Sequence, residues 1–508
     1  MGYAQLLSRA QVGLAAPLVR VEVHLGSGLP SFTIVGLPAP VVRESKERVR
    51  AALAHCGFEF PAGRITVNLA PADLPKEGGR FDLPIALGIL VASGQVPASP
   101  AFESSEFYGE LALTGELKPV PGLLLAALHA AQQGHHLYIP AGQVAELRMV
   151  EGLNLRSLRH LAEISAENKK DVDQIDEDID SLTVAAADAA IPDLADVRGQ
   201  HQARRALVIA AAGGHSLLFC GPPGSGKGML ARRLPGLLPP LSRAEALEVA
   251  AIAAVAQQSV APASPGLPMQ RPFRCPHHTA SAHAIVGGGP MARPGEVSLA
   301  HRGVLFLDEL PEFDRRVLES LREPLESGSV SIARAQQRAD FPAAFQLVAA
   351  MNPCPCGNAG RSIPGCRCHP DQVKRYRARL SGPLLDRIDL QLTLQPVDPD
   401  ALLESSPSGP VGLSTAQARE MVTAARERQH RRQGCLNAQL GPEETARHCR
   451  ADEVGLSLLR RVAAQRGVSA RSQHRVLRVA RTIADLAGQP IPRQEEIAEA
   501  LALRREEE

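Results

Sequence analysis

A chain of 508 residues is too long for one ordinary hydrophobic core and divides into two or three domains. Hydrophobic residues make up 44% and charged residues 21%, the balance of a folded soluble protein and not of a disordered or fibrous one. The 55 Lys and Arg against 54 Asp and Glu leave a formal net charge of +1, which excludes a uniformly basic coat; no Trp and only four Tyr exclude a broad aromatic platform for stacking bases.

The first section, residues 1–164, reads as an α+β domain. Val19–Leu25 alternates apolar and polar residues, the pattern of a half-buried strand, and Phe32–Val35 gives a second. Pro38 and Pro40 introduce a charged helix over 41–56, and further strand and helix signals follow at Arg64–Leu69 and Pro84–Ala92. Residues 171–180 then carry six acids and no base, which marks 165–192 as a solvated acidic linker. Over 193–396 helices alternate with the apolar runs Ser216–Cys220, Gly303–Leu307 and Phe345–Ala350, the signature of a parallel α/β sheet. From 397 to 508 the chain turns helical, with Val476, Val479, Ala480 and Ile483 on one face before Gly488, which predicts a helical lid.

No segment reads as membrane-spanning. The run 249–270 is interrupted by Gln257, Gln258, Pro262 and Pro265, the N-terminus lacks a basic leader, and Leu6 stands where myristoylation needs Ser or Thr. Nine cysteines, four of them within 354–368, suit a reducing cytoplasm and a metal site better than a disulfide frame.

The strand Ser216–Cys220 runs into Gly221-Pro222-Pro223-Gly224-Ser225-Gly226-Lys227, the strand–GxxxxGK–helix arrangement. Glycines let successive backbone N–H groups curl round a phosphate, the helix over 229–234 points its positive end at it, and Lys227 neutralises the outer phosphates. Gly228 occupies the position where a Ser or Thr hydroxyl would ligate Mg²⁺, so phosphate binding is expected to persist with looser metal placement and reduced hydrolysis. The strand 303–307 ends in Asp308-Glu309, which predicts Asp308 on Mg²⁺ and Glu309 polarising the attacking water. A further strand ends at Asn352, placed to sense the γ-phosphate.

Cys354-x-Cys356 and Cys366-x-Cys368 supply four thiolates across a loop that Gly357, Gly360, Pro364 and Gly365 allow to fold back, which suits a structural Zn²⁺. Free thiols or a redox pair are the competing readings, and His369 is an alternative ligand. Cys275, His277 and His278 fit no common metal spacing and are assigned to an insert between Lys227 and Asp308.

Gly36-Leu37-Pro38, Pro75-Lys76-Glu77-Gly78-Gly79, Val197-Arg198-Gly199-Gln200, Phe273-Arg274-Cys275-Pro276-His277-His278-Thr279, Arg293-Pro294-Gly295-Glu296 and Leu307-Asp308-Glu309-Leu310-Pro311-Glu312-Phe313 resemble, in order, the motifs of the magnesium-chelatase-like AAA+ ATPases, in their YifB/ComM branch. The resemblance covers nearly the whole chain. It implies a multidomain α/β protein with an N-terminal domain, a central AAA+ P-loop domain over 193–396 carrying a cysteine insertion at 353–369, and an α-helical lid. It further implies a cytoplasmic homo-hexamer with ATP and Mg²⁺ between neighbours. Leu384-Leu385-Asp386-Arg387-Ile388-Asp389 resembles the segment that presents an arginine finger, making Arg387 the trans-acting candidate. Ser469-Ala470-Arg471 resembles the second sensor of the lid, placing Arg471 on the phosphates in cis, with Arg379 and Arg475 as fallbacks.

Residues 109–116, 119–123 and 75–78 resemble the proteolytic domain of the Lon proteases, an S5 domain 2-like α+β fold. The nucleophile and its base fall on Arg80 and Leu124, so the domain is expected to be catalytically dead, with Lys76 and Arg80 as surface residues or phosphate contacts. The resemblance also implies pore contacts to DNA from a hairpin carrying Arg334, Gln336 and Arg338, and from Gly287-Gly288-Gly289 and Arg293. A basic stretch over 361–380 (Arg361, Arg367, Lys374, Arg375, Arg377, Arg379) would add sequence-independent contacts. The implied activity is a helicase that drives branch migration during DNA recombination in natural transformation. The alternatives are a chelatase-type motor inserting Mg²⁺ into a porphyrin through partner subunits, and a regulatory ATP-binding protein.

Overall fold

The computed structural model describes residues 2–164, 192–256, 269–289, 292–333, 338–359, 365–395 and 412–504. The acidic run lies outside them. The chain divides into two compact units, Met1–Ala187 with Ala246–Pro268 and Ala333–Asp340, and Asp188–Glu245 with Met269–Ile332 and Phe341–Glu508.

The first unit is built on a seven-stranded mixed sheet. Its strands are β1 (Gly2–Arg9), β2 (Leu18–Gly26), β3 (Ser31–Val35), β4 (Arg64–Ala70), β5 (Ser105–Phe107), β8 (His136–Pro140) and β9 (Asn154–Leu158), in the order β3-β4-β2-β1-β5-β8-β9; β6 (Glu110–Leu111) and β7 (Leu117–Lys118) form a separate ribbon. The predicted alternation holds: Val19, Val21 and Val23 of β2 are fully buried, while Arg20 and His24 face solvent. Helices Pro40–His55 and Asp82–Ala92 share the core with these valines. The second helix is apolar on every side and buried over most of its length. It approaches β2 closely because Gly88 has no side chain; a Cβ there would lie 2.6 Å from Val23 Cγ2. Its one acid, Asp82, is buried and paired with Arg48 at 2.7 Å. A second buried pair, Arg9–Glu106 at 2.7 Å, is completed by His135 and the Tyr108 hydroxyl.

The second unit holds a five-stranded parallel sheet of β10 (Leu217–Cys220), β11 (Phe273–Arg274), β14 (Val304–Leu307), β17 (Gln346–Met351) and β18 (Leu390–Thr393), in the order β11-β14-β17-β10-β18. Strand β14 is a continuous apolar run, as a strand covered on both faces requires; Val304, Leu305, Phe306 and Leu307 are all buried. The second unit also holds the ribbon of β12 (Gly287–Gly288) with β13 (Arg293–Pro294); a further ribbon, β15 (Ser329–Ala333) with β16 (Arg338–Pro342), has residues in both units.

The helix His201–Gly213 packs against the C-terminal helices Thr415–Gln433 and Ala470–Ala487 in one core that contains Val476, Val479, Ala480 and Ile483, the residues whose spacing marks the apolar face. Ser414 and Gln417 form a capping box at the first of these C-terminal helices, and Gly488, left-handed at φ 70°, ends the second.

Beneath the sheet runs a buried polar cluster that composition does not reveal. His215, fully buried just before β10, contacts Asp389 (3.1 Å) and Thr482 (2.8 Å). Arg475 and Arg478 flank the same carboxylate at 3.7 and 3.9 Å. Burial alone would raise the Asp389 carboxyl, but the His215 bond and the two guanidinium groups hold it well below the usual carboxylate range. The folded-state value is depressed, so this stabilisation is complete above the unfolded carboxylate value of about 3.9 and is lost as pH falls below it. Asp389→Asn strands two buried cations; urea titration should show a loss of about 3 kcal/mol at pH 7 and a weaker acid dependence than in the parent.

Candidate nucleotide-binding site

Strand β10 lies between β17 and β18, in register Cys220↔Met351 and Cys220↔Thr393, so the turn that follows opens at the carboxyl edge of the sheet, where parallel α/β folds bind ligands. Gly221 N–H donates to the Met351 carbonyl at 3.1 Å, and Gly224 and Gly226 turn through φ 79° and 88°. The Ser225 hydroxyl is buried and has no hydrogen-bond partner among the described residues, which suits a polar atom that meets a ligand inside the cradle. The following helix differs from the predicted span. It runs only from Lys227 to Ala231, and a separate turn over Leu234–Leu237 takes in Pro235. So short a helix has little macrodipole, and the cradle relies on its backbone N–H groups and on Lys227.

The Lys227 ammonium donates to the carbonyls of Gly221 (2.6 Å) and Pro222 (3.0 Å) and to Asn352 Oδ1 (3.1 Å). Lysine and Asn352 are therefore brought together at adjacent strand ends. Burial lowers the ammonium's pKa, while Asp308, Cys220 and Glu309 act to keep it charged. A Cβ at Gly228 would meet only the Phe306 ring, at 3.8 Å, so the missing hydroxyl is not a steric requirement.

Asp308 and Glu309 follow β14 and are exposed. Glu309 adopts a left-handed backbone at φ 53°, ψ 46°, a strained conformation for a residue with a side chain, and its N–H donates to Asp308 Oδ1 at 2.9 Å. Its carboxylate meets His278 Nδ1 at 3.3 Å. That contact follows from register: β11 pairs in parallel with β14 (Phe273↔Val304, Arg274↔Leu305), which carried onward sets His278 level with Glu309. Arg274 anchors the segment through a two-pronged pair to Glu296 at 2.7 and 2.8 Å. Sequence reasoning missed this role for His278; the pairing of a two-residue strand has no periodic signal.

The two arginine candidates converge on one carboxylate. Arg387 bonds Glu326 and donates to the Pro383 carbonyl at 2.6 Å. Arg471, second residue of the helix Ala470–Ala487, meets the same Glu326 oxygen at 2.5 Å. The Arg471 hydrogen bond, aided by Arg387, holds Glu326 below the usual carboxylate range. Glu319, Arg322, Glu323, Glu326, Ser327 and Arg387 line a surface cleft of about 520 Å³. Among the described residues the Arg471 guanidinium pairs with Glu326 and not with residues 221–227. The fallbacks are engaged elsewhere: Arg379 with Glu312 (2.8 Å) and the Pro311 carbonyl (3.0 Å), Arg475 in the buried Asp389 cluster.

Cys354, Cys356, Cys366 and Cys368 bring their sulfurs within 4.8 Å of one another, and no other group of three or more candidate ligands gathers among the described residues. Separations of 3.4, 3.6 and 3.6 Å exclude disulfides and approach the edge of about 3.8 Å that a tetrahedron with ~2.3 Å Zn–S bonds requires. Backbone N–H groups of Arg367 and Asn358 pull the Cys356 thiol down, while the neighbouring sulfurs push Cys366 and Cys368 up, so the cluster gives up its first proton at Cys356. The donor set fits structural Zn²⁺. His369 is no substitute ligand: its side chain caps the helix Pro370–Arg377 by accepting from Asp371 N–H at 3.3 Å.

The N-terminal candidates need correction. Lys76 and Arg80 are not surface residues: both are buried, with Lys76 Nζ on the Pro71 carbonyl and Arg80 on the Pro121 carbonyl at 2.5 Å. Leu124 is buried as well. Of the DNA candidates, Arg334 and Gln336 lie outside the described residues, as does Arg361, and Arg338 opens β16. Gly287, Gly288 and Arg293 form the β12–β13 ribbon, with Gly288 opposite Arg293. Lys374, Arg375 and Arg377 occupy the last turn of the helix Pro370–Arg377.

Because residue 228 has room for a side chain, Gly228→Ser should fold normally and supply a hydroxyl beside Asp308. A magnesium titration of ATP turnover should show half-saturation at several-fold lower Mg²⁺ than in the parent; an unchanged titration would show that this hydroxyl position is not used.

Three family models match the chain: "Subunit ChlI of Mg-chelatase" over 21–143, "Magnesium chelatase, subunit ChlI" over 193–402 and "Magnesium chelatase, subunit ChlI C-terminal" over 412–504. The competence protein ComM of Haemophilus influenzae is 47% identical over 506 residues, covering 99% of this chain and 98% of its own. The uncharacterized protein YifB of Escherichia coli is 46% identical over 500 residues (98% and 96%), and the uncharacterized protein Rv2897c of Mycobacterium tuberculosis is 42% identical over 511 residues (99% of each). Identity at this level over the full span, with the phosphate loop, acidic pair and terminal helices in place, puts the chain in the YifB/ComM family of magnesium-chelatase-like AAA+ ATPases.

Proposed function

We propose that the protein is an ATP-driven ring motor that acts on DNA as a helicase and promotes branch migration during recombination of incoming DNA. The observation that carries the ATPase is the meeting of Lys227 and Asn352 beside Asp308 and Glu309, on the ends of three neighbouring parallel strands. The DNA assignment draws on the 47% identity, across nearly the whole chain, with a relative named for competence.

In this reading the N–H groups of 221–227 and the Lys227 ammonium hold the β- and γ-phosphates, and the Ser225 hydroxyl gains a partner there. Mg²⁺, when bound by Asp308, neutralises charge on the phosphate oxygens. Glu309 takes a proton from the attacking water, one of its carboxylate oxygens being held by His278. Asn352 reports the γ-phosphate to β17. Arg387 and Arg471, gathered on Glu326, act together across the seam of a homo-hexamer, each guanidinium stabilising charge on the neighbour's phosphoryl group. This moves Arg471 from the cis position to the face that carries the finger. The glycine ribbon β12–β13 would grip the DNA backbone without reading sequence, and so would Arg334, Gln336 and Arg338, of which Arg334 and Gln336 lie outside the described residues.

The reading keeps the domain limits 1–164, 165–192, 193–396 and 397–508; the family models begin a segment at 193, as the reading does, and run to 402 where it sets 396. The first domain is read as Lon-protease-like, of S5 domain 2 type, and catalytically dead, since buried Arg80 and Leu124 stand where nucleophile and base belong. No described helix is long and apolar enough to cross a membrane; the proposed location is the cytoplasm.

Glu309→Gln should lower ATP turnover by about a hundredfold while ATP still binds. With a labelled four-way junction, the parent should convert it to duplex arms in the presence of ATP and the variant should not. A parent that hydrolyses ATP without DNA stimulation and leaves the junction intact would exclude the helicase and favour the chelatase-type motor.

A further inference from the structure

We propose that the cysteine loop is a brace for the nucleotide site, so that metal held by its four thiolates and ATP held by residues 221–227 tighten each other's binding. The inference rests on the ATP-binding reading above and concerns three contacts between the loop and that site.

The first contact is covalent continuity. Cys354 is buried two residues after Asn352, whose Oδ1 accepts from Lys227 Nζ at 3.1 Å, so fixing the Cys354 sulfur fixes the strand end that carries Asn352. The second is direct packing. The Gly357 backbone lies against the ring of Pro223, in the phosphate turn; an added Cβ would sit 2.5 Å from Pro223 Cδ and 2.8 Å from Cγ. Gly357 also adopts φ 77°, so glycine meets both demands. The third contact closes the circuit. After the second cysteine pair, His369 and Gln372 form the capping box of the helix Pro370–Arg377; on that helix burial pushes the nearly buried Tyr376 phenol up to about 12, and the polarity of the Asn352 backbone N–H acts against that rise. The loop thus starts beside Asn352, packs on Pro223, and leads into a helix whose Tyr376 lies in the field of the Asn352 backbone.

A metal bound to four thiolates removes conformational freedom from this loop. Where the ordered loop is also the one that presents Pro223 and Asn352 to nucleotide, each ligand meets part of the ordering cost of the other, which is positive coupling. Coupling of binding free energies is reciprocal: zinc must raise ATP affinity by the same factor by which ATP raises zinc affinity. Cys356 and Cys366 are exposed, so a chelator can reach the site without global unfolding.

The test uses the full-length protein, Zn²⁺ and a non-hydrolysed ATP analogue. Zinc content is measured by elemental analysis, analogue affinity by calorimetry before and after chelation, and zinc affinity by competition with a chromogenic chelator. Stripping zinc should weaken analogue binding about tenfold, re-added zinc should restore it, and saturating analogue should tighten zinc binding by the same factor. Tyr376→Phe, which leaves every thiolate in place, should keep one zinc per chain and reduce the coupling at least threefold. Equal analogue affinity with and without zinc, or zinc affinity unmoved by analogue, overturns the proposal. A chain that binds analogue but takes up no zinc overturns it while leaving the ATPase reading intact; a zinc-loaded chain that binds no analogue removes both.

Discussion

The site depends on one partly buried cation. The Lys227 ammonium is drawn out of bulk water into the crevice where β10, β14 and β17 end, and it remains useful only because oxygens and acids surround it: two turn carbonyls, Asn352, and the field of Asp308 and Glu309. A partly desolvated charge in that position interacts more strongly with phosphate than one in water. The parallel sheet is what makes this arrangement possible. Its register aligns the strand ends, so residues remote in sequence, 227, 308 and 352, meet without any of them having to reach.

The phosphate turn and the acidic pair were legible in the sequence because each is local. A run of apolar residues, then glycines and a lysine, or then two acids, carries its own geometry. The four cysteines were legible for the same reason; His369, an alternative ligand by sequence, caps a helix here, and the two roles look alike without coordinates. What stayed hidden was contact between distant segments. Nothing in the spacing of Glu326, Arg387 and Arg471 says that one carboxylate gathers both guanidinium groups, and nothing in Gly357 announces that it packs on Pro223. Lys76 and Arg80 show the converse: charge predicted exposure, while buried carbonyl partners hold them inside.

The two arginines also stand close along the chain to the buried cluster. Asp389 lies two residues beyond Arg387 and is held by His215 at the root of the phosphate strand and by Arg475 and Arg478, one and two turns beyond Arg471 on the same helix. A shift of the phosphate strand therefore has a short path to both arginines, through the His215–Asp389 contact and then along the chain and the helix Ala470–Ala487. In the proposed ring, that path would connect the nucleotide a protomer holds to the guanidinium groups it lends to its neighbour.

The central claim, a nucleotide split at a seam to which one subunit contributes Lys227 and the next Arg387, is tested most directly by mixing two inactive proteins. Lys227→Ala lacks the phosphate contact but keeps its arginines, and Arg387→Ala is the reverse. Each alone should hydrolyse ATP at a small fraction of the parental rate, and mixtures should regain activity that peaks near equal proportions, where intact seams are most frequent. Mixtures no more active than their components, or Arg387→Ala with full activity by itself, would contradict the account.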